Sequence, residues 1–218
     1  MKRCIIITAF ITGTIRHSVS LSAQDYIICS DGGFQLARKE DILPQLVIGD
    51  LDSVTEKPDS LVETQIYPVE KDDTDTMLCI KYAAERDFDE ICLIGGMGGR
   101  LDHTLGNLQA MAWAAEYWQA QGKNSRRIRM VDNQNDVLLM TPGQILLEGV
   151  PGEKLSLISH SDCCLGVTTS RLKWELVNAQ LTNRFPLGIS NEFADISCQI
   201  TLEEGMLLIL RCRDMEQH

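Results

Sequence analysis

Residues 90–105 read Glu90-Ile91-Cys92-Leu93-Ile94-Gly95-Gly96-Met97-Gly98-Gly99-Arg100-Leu101-Asp102-His103-Thr104-Leu105. Glu90–Ile94 has the length and apolar content of a strand, and the glycines end it. Leu105–Gln119 then carries Leu105, Leu108, Ala112, Ala115 and Trp118 at the spacing of a helical stripe. Strand, glycine turn and helix together make half of a βαβ unit. The same alternation runs upstream. Arg3–Ile7, Tyr26–Cys29 and Leu46–Ile48 read as strands, and Phe34–Glu40 as a short helix stopped before Pro44. Asp75–Arg86 reads as a helix with Met77, Ile80 and Ala84 on one face. The expectation is an α/β unit built on a largely parallel sheet.

Downstream of Gly122 the pattern changes. Arg126–Val131, Asp136–Met140, Gln144–Leu147, Lys154–Ser159, Gly166–Thr169, Lys173–Leu176, Ile196–Leu202 and Met206–Arg211 are short runs. Pro142-Gly143, Pro151-Gly152 and Glu203-Glu204-Gly205 separate them. That rhythm predicts an all-β domain, a sandwich or a barrel, with the boundary near residue 131. No Gly/Ser-rich linker, internal repeat or low-complexity tract interrupts the chain.

The chain has 218 residues, 44% hydrophobic and 23% charged, enough apolar material for a true core. Its net charge of −11 argues against nucleic acid as a partner, because backbone binding rests on clustered Lys and Arg. No apolar stretch reaches the roughly 20 residues that span a membrane. The eight cysteines include no C-x-x-C pair and sit mostly in apolar runs, such as Cys4-Ile5-Ile6-Ile7. They read as buried thiols of a reduced, cytoplasmic protein. Met1-Lys2-Arg3 before Cys4–Ile11, with Leu21-Ser22-Ala23 beyond, has the outline of a secretory signal. Arg16 and His17 interrupt it, and the apolar run serves equally as a first buried strand. The strand reading is adopted.

The polar residues of the first half cluster just after the expected strands: Asp31-Gly32-Gly33, Gly49-Asp50-Leu51-Asp52 and Gly95–Arg100. In an open α/β sheet these places share the carboxyl edge, where ligands bind. Asp50 and Asp52, two apart, can face one hard cation, or can be a solvated turn. Lys71-Asp72-Asp73-Thr74-Asp75 opens a helix. Its acids suit a helix N-terminus by themselves, while a cation, a metal and helix N–H groups together would form a polyphosphate site. Gly95–Arg100 matches neither a P-loop nor a dinucleotide fingerprint. Its glycines still allow close backbone approach to an anion, and Arg100 can clamp phosphate oxygens. Asp102 or Thr104 can equally be a helix cap, and His103 a core or capping histidine.

Taken in order, Ser30-Asp31-Gly32-Gly33, Ile48–Ser53, Lys71–Asp75 and Gly98–Asn107 resemble the motifs of thiamine pyrophosphokinases. The likeness continues through Thr168-Thr169, Leu172-Lys173-Trp174 and Gly188-Ile189-Ser190-Asn191-Glu192, and so covers most of the chain. The resemblance implies a Rossmann-like α/β catalytic domain that binds ATP (residues 1–131) and a thiamine-binding β-sandwich (residues 132–218). It implies transfer of a pyrophosphoryl group from ATP to the thiamine hydroxyl, giving thiamine diphosphate and AMP. It also implies Mg²⁺ and a homodimer in which the sandwich of one chain covers the crevice of the other.

Carried onto this sequence, the resemblance gives Asp50, Asp52 and Asp75 as Mg²⁺ ligands. It gives Asp31, Gly32, Gly33, Lys71, Thr74, Gly98, Gly99, Arg100 and Asn107 as the ATP site. Asp75, Arg100 and Asp102 are the catalytic candidates, with Asp75 and Asp102 both open as acceptors of the hydroxyl proton. Trp174 is the platform for the thiamine pyrimidine, which gains from aromatic stacking, with Thr169, Ser190 and Asn191 around it. Without the resemblance, Trp174 reads as a core tryptophan on a strand. Two positions depart from the family pattern. Phe34 and Gln35 follow Asp-Gly-Gly where a small residue and Asn are common, and Arg171 stands where Gly is common. Two other functions fit the carboxylates alone. One is a metal-dependent transferase or phosphatase for another phosphate ester, and the other is a non-catalytic nucleotide sensor. The first leaves Trp174, Ser190 and Asn191 without a purpose, and the second does not need Asp52 and Asp75.

Overall fold

The computed structural model describes residues 1–50, 60 and 62–213. The fold is mixed α/β, and it divides into one unit over Met1–Asn133 and a second over Gln134–His218.

The first unit runs β1 (Arg3–Ile7), α1 (Ile15–Ser18), β2 (Tyr26–Ser30), α2 (Gly33–Lys39), β3 (Leu46–Gly49), β4 (Glu63–Ile66), α3 (Asp75–Ala84), β5 (Glu90–Ile94), α4 (Leu101–Ala120) and β6 (Arg127–Val131). Its strand order is β6-β5-β1-β2-β3-β4, and every pairing given among these strands is parallel. The run that resembled a signal sequence begins with β1, which pairs with both β2 and β5. The chain moves from β1 toward β4 on one side and returns to β5 on the other. This reversal at β1 makes the carboxyl edge of the sheet beside β1 the natural place for a ligand.

β1, β2, β3 and β5 are buried on both faces, as their unbroken apolar runs require. Ile5, Ile7, Ile27, Cys29, Val47, Cys92 and Ile94 share a core with Ile15 of α1 and Phe34 and Ala37 of α2. Alternation sends Cys4, Ile6, Ile28, Leu93 and Ile91 to the other face, and α3 packs against β1, β2, β3 and β5. The indole N–H of buried Trp118 donates to Ala84 O (3.1 Å), fastening α4 to the end of α3.

Helix α4 begins four residues before the expected start, directly after Arg100 in extended conformation. Leu105 is exposed, and the buried face carries Asn107, Ala110, Met111, Ala114, Ala115 and Trp118. A buried asparagine in the first half of the helix is what hid its true face.

The second unit contains β7 (Asn135–Met140), β8 (Gly143–Glu148), β9 (Lys154–Ser159), β10 (Cys163–Ser170), β11 (Ala179–Thr182), β12 (Gly188–Glu192), β13 (Ser197–Leu202) and β14 (Leu207–Cys212). The orders β12-β9-β14-β7 and β11-β10-β13-β8 are antiparallel throughout. One core joins them, with Leu155, Leu157, Leu207 and Ile209 from the first set and Ile145, Val167, Cys198 and Ile200 from the second. Lys173–Leu176 is not a strand. It is part of a loop anchored mainly by side-chain hydrogen bonds, described below. Among the described residues no helix is long and apolar enough to cross a membrane.

Candidate functional site

In the first unit a cleft of about 360 Å³ opens at the carboxyl ends of β1, β2 and β3. Ala9, Ser30, Asp31, Gly32, Asp50, Val69, Lys71, Asp73, Thr74, Asp75, Thr76 and His103 line it. Close backbone approach builds its floor. A Cβ on Gly33 would run into the Ile7 carbonyl, and one on Gly49 into the Asp31 side chain. Glycine at these two places lets α2 start against β1 and lets Asp31 sit over the end of β3.

Lys71 is the centre of charge. Its ammonium is 2.9 Å from Asp75 Oδ1 and 3.9 Å from Asp50 Oδ2, and all three side chains are largely buried. The close contact with Asp75 holds the ammonium above the ordinary lysine range against the opposing effect of burial, and the charges of Asp75, Asp50 and Asp31 add to it. Asp75 Oδ1 is buried and takes no aligned hydrogen bond in spite of the short approach of Lys71. The neighbouring acid Asp73 is spent differently, on Lys81 (2.6 and 2.8 Å). Thr74 caps α3, its Oγ1 accepting the Met77 N–H at 3.1 Å, which leaves the hydroxyl proton available to donate.

A divalent cation fits this donor set. Asp50 and Asp75 offer hard carboxylate oxygens to one cleft, and one buried oxygen of Asp75 is unsatisfied. Mg²⁺ is commonly held by one or two carboxylates with substrate phosphates completing the shell. Among the described residues no three His, Cys, Asp or Glu stand close enough to hold a metal by themselves. Asp52 lies outside the described residues.

The glycine loop is a separate piece of architecture. Gly95, Gly96, Gly98 and Gly99 all have positive φ, +80°, +77°, +81° and +60°. Gly95 N–H donates to Val131 O (2.7 Å) and Gly96 N–H to Phe10 O (2.8 Å). Asn107 Nδ2 donates to Gly96 O at 2.9 Å, which accounts for its burial. The Phe10 ring lies against Gly98 and Gly99, where any Cβ would meet it. Arg100 and Asp102 are exposed and paired (Nε–Oδ1 3.1 Å), and neither lines the cleft. The pairing lowers the Asp102 carboxyl below its ordinary range, chiefly through the hydrogen bond from Arg100.

In the second unit, Trp174 is more than half exposed, which excludes the core tryptophan on a strand. Its backbone is held by Asn191, whose Oδ1 accepts the Trp174 N–H (3.1 Å) and whose Nδ2 donates to Trp174 O (2.6 Å). Lys173 Nζ is 4.6 Å from the indole centroid and 2.9 Å from Glu192 Oε2. Thr169 is buried, with its Oγ1 accepting the Leu176 N–H and its own N–H donating to Leu176 O, each at 2.9 Å. Ser190 is exposed, with φ +59°.

The cleft therefore brings together Asp31, Gly32, Asp50, Lys71, Thr74 and Asp75. Gly98, Gly99, Arg100, Asp102 and Asn107 belong to the neighbouring loop and helix start, and Gly33 to the packing beneath. Of the other lining residues, Ser30 belongs to the Ser30–Gly33 motif, Ala9 and Thr76 are not singled out by the sequence, and His103 is read there as a core or capping histidine. Ala9 follows β1 just as Asp31 follows β2, so the strand-end rule already contained it.

Residues 18–121 match the thiamin pyrophosphokinase catalytic domain, and residues 144–207 match the thiamin pyrophosphokinase vitamin B1 binding domain. The chain belongs to the thiamin pyrophosphokinase family. A thiamine pyrophosphokinase from Bacillus subtilis (strain 168) is 31% identical over 179 residues, covering 79% of this chain and 80% of that one. Thiamin pyrophosphokinase 1 of Caenorhabditis elegans is 24% identical over 210 residues, 84% of this chain and 77% of its own. The crystal structure of thiamine pyrophosphokinase from Bacillus subtilis superposes with a TM-score of 0.83 at 26% identity, over 98% of this chain and 100% of that one. The Candida albicans thiamin pyrophosphokinase keeps a TM-score of 0.80 at 14% identity, over 97% and 89% of the two chains, a likeness of fold. A thiamin pyrophosphokinase is a transferase that moves a pyrophosphoryl group from ATP to thiamine.

Proposed function

We propose that this chain performs the pyrophosphoryl transfer in the cleft of its first unit. The observation that carries the reading is Lys71 set between Asp50 and Asp75 at the carboxyl edge of a parallel sheet. Phosphoryl transfer needs positioning and charge neutralisation more than covalent help. Lys71 would exchange its carboxylate contacts for polyphosphate oxygens, and Arg100 would leave Asp102 to do the same. Backbone N–H groups at Gly32, Gly33, Gly98 and Gly99, the Thr74 hydroxyl and Asp31 would complete the ATP site, with Asn107 holding the glycine loop. Asp50, Asp75 and Asp52 would hold Mg²⁺, which when bound neutralises charge on the polyphosphate.

The thiamine hydroxyl oxygen attacks the β-phosphorus, and the bond from that phosphorus to the AMP oxygen breaks. The hydroxyl proton goes to a carboxylate. Asp75 lines the cleft and Asp102 does not, so this reading assigns the proton to Asp75. Trp174 and Ser190 would receive thiamine, with Thr169 and Asn191 supporting them. The same reading takes the first unit as a Rossmann-like catalytic domain and the second as a β-sandwich. It adds a homodimer in which the sandwich of one chain covers the cleft of the other. It also places the protein in the cytoplasm, in keeping with eight free thiols.

Incubation with ATP, Mg²⁺ and thiamine, followed by nucleotide analysis, tests the reading. AMP formed in step with thiamine diphosphate supports it, while ADP as product, or turnover indifferent to thiamine, overturns it. Sedimentation of the purified chain tests the dimer.

A further inference from the structure

We infer that Asn191 is a positioning residue that clasps the Trp174 loop, and that it is not itself a recognition group for the pyrimidine. The inference deepens the proposed thiamine site and rests on Trp174 being its platform.

A carboxamide has two acceptor sites on its oxygen and two N–H donors. Asn191 Oδ1 already accepts from Trp174 N–H (3.1 Å) and Glu192 N–H (2.9 Å), and Nδ2 donates to Trp174 O (2.6 Å). Three of the four positions are therefore used within the chain, and the side chain is 6% exposed. What remains is one N–H, too little to read an aminopyrimidine edge that offers donors and acceptors together. Asn191 closes instead around the single residue whose ring is presented outward.

The backbone explains how the side chain is aimed. Along β12, Gly188 pairs with Leu157 and Asn191 with Leu155, so three steps on one strand oppose two on the other. The extra residue is a bulge at left-handed Ser190, whose N–H donates to Ser156 Oγ (2.9 Å). Bulges re-aim the side chain that follows them. Ile189 and Ser190 are both exposed, and Asn191 is turned inward beneath the 171–176 loop. Lys173 N–H donates to Glu192 O (2.9 Å), and the Lys173 ammonium joins Glu192 to the indole face. Asn191 thus holds the Trp174 backbone, and Lys173 lies over the indole ring.

The loop carries its own reporter, because trypsin cuts after Arg171 and Lys173, both exposed. Asn191→Ala removes the clasp. Asn191→Asp keeps its size and acceptor but replaces the donor facing Trp174 O. Cleavage after Arg171 and Lys173, measured without thiamine, should accelerate about tenfold in Asn191→Asp, which loses one hydrogen bond to the loop, and by more in Asn191→Ala, which loses two. Cleavage elsewhere should be unchanged. The KM for thiamine should rise while the KM for ATP stays fixed. Unaltered cleavage at the loop overturns the clasp whatever happens to the thiamine KM, and so does acceleration spread over every site. Trp174→Ala separates the two claims. An unchanged thiamine KM in that variant removes the platform, whereas a raised KM there with normal KM in both Asn191 variants removes only the positioning role.

Discussion

The Lys71 ammonium stands 2.9 Å from Asp75 and 3.9 Å from Asp50, so one cation joins a carboxylate at the end of β3 to another at the start of α3. Replacing it by Lys71→Met removes the ammonium that both acids share. The expected result is a fall of about 10²-fold in kcat/KM for ATP, the scale of losing one charged group at a transferring phosphoryl. Steady-state AMP release measures it, and a variant with normal kinetics would remove Lys71 from the site.

Asp75→Asn keeps the shape of the side chain and discards its charge. Turnover should drop below detection while the circular dichroism spectrum and unfolding midpoint remain near those of the parent, since the α3 cap is Thr74 and the Asp73–Lys81 pair is untouched. Retained turnover would show that Asp75 has no part in the chemistry.

The Arg3–Asp25 pair should govern part of the acid stability. Burial raises the Asp25 carboxyl, but hydrogen bonds from Arg3 (2.6 and 3.0 Å) and from Ser22 N–H outweigh it, and the net position is below the ordinary range. A depressed folded value gives stability that is present above the unfolded value of about 3.9 and is lost as pH falls through the folded one. Urea midpoints from pH 6 down through the carboxylate range should therefore fall more steeply for the parent than for Asp25→Asn.

Arg171 occupies a left-handed conformation, φ +61°, at the position where the resembling family commonly has glycine. Arg171→Gly should raise stability, by up to about 1 kcal/mol, the left-handed penalty less the entropy glycine loses on folding. A lowered unfolding midpoint would mean the side chain makes contacts that exceed the strain.

Two glycines with similar φ should respond differently to alanine. At Gly122 (φ +69°) a Cβ meets nothing within 4 Å, whereas at Gly95 (φ +80°) it runs into the Phe10 carbonyl. Gly122→Ala should cost about 1 kcal/mol, from backbone strain alone. Gly95→Ala should cost about 1–3 kcal/mol more, the range for forced overpacking. Equal unfolding midpoints would deny the crowding at the glycine loop.

Much of this was legible in the residues. Buried parallel strands are written as unbroken apolar runs, so β1 and β5 were read to the residue; the strand-end rule led to Asp31 and Asp50, and the charged opening of α3 to Lys71 and Asp75. The misses have physical causes. β4 reads Glu-Thr-Gln-Ile with no buried position, so no periodicity marks it. The burial of Asn107 was not legible, because its partner, the Gly96 carbonyl, lies 11 positions away. Lys173–Leu176 has the composition of a strand, but its hydrogen bonds go largely to the side chains of Asn191 and Thr169, and composition does not record such partners. The bulge at Ser190 left no trace either, since a left-handed serine looks like any other in a string of letters.

The placement of the tryptophans has an optical consequence. Trp118 is buried in the first unit with its N–H on Ala84 O, while Trp174 projects into solvent from the second. Their emission should sit at opposite ends of the wavelength range, one short and one long. A red shift of the short-wavelength emission on heating then reports the melting of the first unit, which also carries the half-buried Trp113, with no dye attached.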